Sequence, residues 1–102
     1  MYLARITIFG QARGGRIRKV GPGYRPHLRL GEIRTTCFIY PVDQNIQMFE
    51  LDTEYLVVLR LLLSPESYMH RLQVGEILEF SEGNKIVGEG AFLQNLEEEE
   101  YE

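Results

Sequence analysis

Gly75-Glu76-Ile77-Leu78-Glu79-Phe80-Ser81-Glu82-Gly83-Asn84-Lys85-Ile86-Val87-Gly88-Glu89-Gly90-Ala91-Phe92-Leu93 holds two strand-like runs around one turn. Gly75 to Phe80 alternates polar and apolar residues, the period of a half-buried strand. Glu82-Gly83-Asn84-Lys85 is a hairpin turn signal, because Gly and Asn adopt the backbone angles that a tight turn requires. Ile86 to Leu93 answers as the returning strand. Gly88 and Gly90 inside it predict a bulge or tight bend, as at a barrel corner.

Working outward toward the N-terminus, the same period recurs. Tyr55 to Leu63 is a continuous apolar run, compatible with a buried strand or a helix. Its length, the Val57-Val58 pair and the bounding Ser64-Pro65 favour the strand. His70 to Leu72 reads as a minor strand or a single turn, and Met48 to Asp52 as a short strand. Ile33 to Tyr40 is rich in β-branched and aromatic residues, and Pro41, which cannot donate to a ladder, should end it. Tyr24 to Leu30 alternates, with Leu28 and Leu30 on one face and His27 and Arg29 on the other. Leu3 to Phe9 alternates too, with Ala4, Ile6 and Ile8 inward. Between these last two runs, Gly10, Gly14, Gly15, Gly21, Pro22 and Gly23 punctuate a long connection that should not be helical.

Six or seven short strands without a convincing helix predict an all-β sandwich or closed barrel. Closure would remove exposed strand edges from a chain rich in Val, Leu and Ile. The 102 residues, 44% hydrophobic and 25% charged, suit one domain over residues 1–94. Residues 95–102 form an acidic tail expected to be disordered. The lone cysteine, Cys37, can make no internal disulfide, which favours a reducing compartment. Met1 to Phe9 lacks the pattern of a signal peptide, and Tyr55 to Leu63 falls short of the ~20 residues that span a bilayer. The expectation is a cytoplasmic protein without membrane association.

Chemistry is harder to find. Neither Lys19 nor Lys85 precedes Ser or Thr, as a phosphate-cradling loop needs. One cysteine with the distant His27 and His70 supports no zinc site. Cys37 lies mid-strand, where a thiol is ordinarily buried and inert. Glu50 with Asp52, or Glu76 with Glu79, could in principle serve acid–base chemistry, but alternation at Glu50 and Asp52 more simply marks the wet face of a strand, and Ser64, Ser67 and Ser81 lack a nucleophile-elbow context. A non-enzymatic protein with no cofactor and no metal is expected.

Binding is better supported. The net charge of −4 is unevenly laid out: Arg13, Arg16, Arg18, Lys19, Arg25, Arg29 and Arg34 make seven of the eleven Lys and Arg, opposed locally by Glu32 alone. Glu97 to Glu100 and Glu102 crowd the other end. Arginines interleaved with Tyr24 and His27 suit bidentate contacts to phosphate or carboxylate. The segment is read as a polyanion-facing patch or as a solvated loop.

Several motifs resemble one family. Gly14-Gly15-Arg16, then Gly23-Tyr24-Arg25-Pro26, then Ile33-Arg34-Thr35-Thr36 look like the start of the C-terminal β-barrel domain of translation elongation factor Tu. Glu82-Gly83-Asn84-Lys85-Ile86-Val87-Gly88-Glu89-Gly90, after Phe80, is similar to that domain's closing hairpin, and Leu63-Ser64-Pro65 fits between. The likeness runs from Leu3 to about Leu93. It implies a closed six-stranded antiparallel barrel, without the nucleotide-binding domain and therefore without GTP. In the family this domain contacts aminoacyl-tRNA and the nucleotide-exchange partner. The positions matching its tRNA contacts are His27, Ile39, Ser64 and Gly83, of which Gly83 alone keeps the family's residue.

The resemblance implies a non-catalytic binding module that engages a translation-related protein partner, as a mimic or toxin-neutralising decoy. The alternative is a domain binding tRNA or structured RNA through Arg13 to Arg34. Arg16, Arg25, His27, Arg29, Arg34 and Gly83 are the candidate binding residues.

Overall fold

Alternating runs such as Ala4-Arg5-Ile6-Thr7-Ile8 bury every second side chain, and six of them close on one another. In the computed structural model, which describes residues 1–62 and 72–96, the strands are β1 (Tyr2–Ile8), β2 (His27–Leu30), β3 (Ile33–Pro41), β4 (Glu54–Leu61), β5 (Ile77–Glu82) and β6 (Lys85–Asn95). All neighbours are antiparallel, in the order β1-β4-β3-β2-β5-β6, and β6 returns to pair with β1. This is a closed barrel rather than a sandwich. Leu63-Ser64-Pro65, His70 and the acidic tail from Glu97 onward lie outside the described residues.

Ala4, Ile6 and Ile8 of β1, Leu28 and Leu30 of β2, Cys37 and Ile39 of β3 fill the interior with Val57, Leu59, Leu78, Phe80, Val87 and Phe92. Each of these is almost fully removed from water, and the outward residues between them are not. The hairpin turn is where Glu82-Gly83-Asn84-Lys85 places it, with Gly83 at φ 61°.

The glycines of β6 do more than bend the strand. A bulge does occur, but at Val87: Phe80 pairs with Gly88 and Ser81 with Ile86, leaving Val87 the extra residue. Its carbonyl accepts from the Phe9 N–H at 2.7 Å. Gly88 then lies between Ile8 and Phe80, and Gly90 between Ile6 and Leu78. The missing side chains make room for the four large ones beside them.

Three expectations need correction. Met48 to Asp52 forms no strand: Phe49 makes one bridge, its N–H reaching the Val20 carbonyl at 2.7 Å, and the chain then turns at Asp52 with φ 60°. The run from Tyr24 becomes regular only at His27, because Pro26 has no N–H to give. Ahead of it, the Tyr24 carbonyl still accepts from the Ile39 N–H of β3 at 2.9 Å, and Cys37 donates to the Pro26 carbonyl at 3.2 Å. Pro41 does end β3, as its last residue, opposite Val57. The long connection also holds one short 3-10 turn, Gln11–Arg13.

Candidate functional site

Period-two alternation that sends Leu28 and Leu30 inward sends His27 and Arg29 outward. Register then fixes their neighbours. His27 lies between Thr36 of β3 and Ser81 of β5, and Arg29 between Arg34 of β3 and Glu79 of β5. At the end of this outer face stands the β5–β6 turn, with Gly83, Asn84 and the half-exposed Ile86. With these turn residues, His27, Arg29, Arg34, Glu79 and Ser81 line an open groove of about 500 Å³.

Four of the six candidate residues therefore meet: His27, Arg29, Arg34 and Gly83. The other two are placed differently. Arg16 is half-buried and spent inside the molecule: its guanidinium donates to the Glu82 carboxylate and, at 3.0 Å, to the Arg18 carbonyl. Tyr24 donates its hydroxyl to the same Glu82 oxygen. This cluster ties the long connection to the turn that ends the groove. Burial first, and the neighbouring Glu82 second, push the Tyr24 hydroxyl well above the usual tyrosine range. Arg25 lies against the Phe38 ring, 5.9 Å from its centre, with Arg60 at 5.8 Å from the same ring.

The charge pattern of the groove is unusual in one respect. Arg29 and Arg34 are directly opposite on adjacent strands, an arrangement that repels. Glu79 relieves Arg29, its carboxylate 3.5 Å from the guanidinium. Arg34 has no acid partner among the described residues. Elsewhere the basic segment is largely neutralised in place: Arg13 by Asp52 at 3.9 Å, Arg16 by Glu82, Lys19 by Glu50 at 3.0 Å. The seven basic residues do not make one uniform basic face.

Cys37 points into the core, where burial pushes its thiol up to about 12, away from the reactive thiolate. His27 is on the outside of the neighbouring strand, so the two do not meet. Among the described residues, no three His, Cys, Asp or Glu gather to hold a metal, and no helix is long and apolar enough to cross a membrane.

Glu79, Ser81, Asn84 and Ile86 were not candidates from sequence, although all four line the groove. Their only signal was the outward parity of β5 and the turn, which carries meaning once β5 is known to pair with β2. No protein-family model and no curated protein sequence matches the chain.

Proposed function

We propose that the chain is a non-catalytic binding module, and that its groove receives an acidic surface of a protein partner from the translation apparatus. The observation that carries this reading is Arg34, set opposite Arg29, whose one acid, Glu79, lies on the far side of Arg29. A partner carboxylate at Arg34 would replace repulsion by a bidentate, charge-assisted contact.

The rest of the lining favours protein over nucleic acid. Ile86, 46% exposed, offers apolar contact to a side chain, which a phosphate backbone would not use. Interfaces of this mixed kind use arginine anchors beside apolar area. The link to translation rests on the elongation-factor motifs, and the replaced contact positions suit an imitator of that domain. A second reading retains one favourable observation: Arg34, His27, Ser81 and Asn84, all of which carry hydrogen-bond donors, line the same groove, and such groups are the ones that contact phosphates.

Affinity capture from a translating extract tests both. The native chain should retain a translation protein in a salt-sensitive manner, and Arg34→Glu should weaken retention about 10-fold to 100-fold, as for a central charged contact. Recovery of tRNA, abolished by ribonuclease and falling steeply with salt, would replace the protein reading with the RNA one.

A further inference from the structure

Period-two alternation turns Phe38 and Arg60 outward, since Cys37, Ile39 and Leu59 fill the interior. Phe38 is directly opposite Arg60 on β4. On its other side lies Arg25, between the Tyr24 and Pro26 carbonyls that accept from Ile39 and Cys37. Both guanidiniums sit within 6 Å of the centre of the half-exposed Phe38 ring, Arg25 at 5.9 Å and Arg60 at 5.8 Å. The ring attracts each cation, but two like charges gathered at one ring repel. Arg13, Arg16, Lys19 and Arg29 each have an acid beside them. Arg25 and Arg60 have none among the described residues. The rows on either side, His27 with Thr36 and Tyr40 with Val58, supply no acid.

We infer that this pair of arginines docks the acidic segment Glu97-Glu98-Glu99-Glu100-Tyr101-Glu102 of the same chain. The row that holds the arginines runs on to the end of β6. Tyr2 pairs with Leu59 on one side and Asn95 on the other, which brings Met1 beside Arg60, and the Leu96 N–H donates to the Met1 carbonyl at 3.0 Å. Leu96, Met1, Arg60, Phe38 and Arg25 therefore follow one another around the barrel. With neighbouring strands ~4.8 Å apart, the Arg60 backbone lies about 10 Å from Leu96 and that of Arg25 about 19 Å. The six residues after Leu96 reach about 20 Å when extended. Alternate side chains of an extended segment face the same way, so Glu100 comes to the Arg60 side of the Phe38 ring while Glu102 comes to Arg25. Carboxylates there replace repulsion between guanidiniums by charge-assisted contacts. The docked segment neutralises Arg25 and Arg60 within the chain and leaves Arg34 open to a partner.

Amide nitrogen-15 relaxation of the full chain tests this, with circular dichroism confirming that each variant folds. At low salt the backbone order parameters of residues 98–102 should exceed about 0.6, the upper bound of a flexible segment. They should fall below it in Arg25→Gln with Arg60→Gln, in Glu100→Gln with Glu102→Gln, and in about 0.5 M salt, which screens exposed charges. Arg34→Glu, which tests the groove, should leave them unchanged. Values below about 0.6 in the native chain would overturn the inference, as would an ordered segment indifferent to both pairs of substitutions. Order that rises with protein concentration would place the segment on a second copy and equally overturn it.

Discussion

Gly90→Ala probes the seam on which the barrel closes. A Cβ at position 90 would lie 2.6 Å from the Arg5 carbonyl oxygen, 2.6 Å from Ile6 Cγ2 and 3.2 Å from Ile6 Cα. Ordinary carbon–oxygen contacts begin near ~3.3 Å, so β1 would have to retreat by roughly 0.7 Å within a ladder. Forcing one carbon into a packed interior costs about 1–3 kcal/mol. Alanine returns up to about 1 kcal/mol by restricting the unfolded chain. The net expectation is destabilisation by about 1–2 kcal/mol, or a melting temperature lower by roughly 4–16 °C for a domain of this size. Urea denaturation should show a lower midpoint at unchanged slope. Because part of the clash is with Ile6 Cγ2, the cost should be smaller in an Ile6→Ala background, by about 0.5–1 kcal/mol in a double-mutant cycle. A Gly90→Ala chain as stable as the native one, or a strictly additive cycle, would refute the packing argument at this seam.

Further outcomes follow from other sites. Glu82→Ala removes the shared acceptor of Arg16 and Tyr24. The pair is partly exposed, so it should cost only about 1 kcal/mol in denaturation, yet it should weaken partner capture because the turn ending the groove is released. Alkaline titration should destabilise the fold. The raised Tyr24 hydroxyl contributes stability fully present below the ordinary tyrosine value near 10.0 and lost as pH rises beyond it, so Tyr24→Phe should flatten that part of the curve. Cys37, raised from 9.0 to about 12, adds a loss beginning near pH 9, with a slope of about 1.4 kcal/mol per pH unit that Cys37→Ala should remove. The same thiol should react with Ellman's reagent only as fast as the barrel opens, and at once in denaturant.

The strands were legible because they depend on local period. Leu28 and Leu30 could be sent inward from their spacing alone, and Gly83-Asn84 named its own turn. Closure was not legible from alternation, since a sandwich and a barrel demand the same pattern and differ only in whether β6 meets β1. The strand expected at Met48 to Asp52 failed because Phe49 is buried by a loop bridge to Val20, a tertiary contact with no local signature. The candidate site divides in the same way. His27, Arg29 and Arg34 share a face because β2 and β3 are neighbours in sequence. Glu79 and Ser81 joined them only through pairing with a distant strand, and Arg16 was claimed by Glu82 at the far end of the chain. A basic residue count says nothing of which acids lie beside it in the fold.

Capture from a translating extract with the native chain and with Arg34→Glu, side by side, tests the central claim most directly. The account predicts a translation protein retained by the native chain, released by moderate salt and lost with Arg34→Glu. Identical proteins recovered with both chains would contradict it.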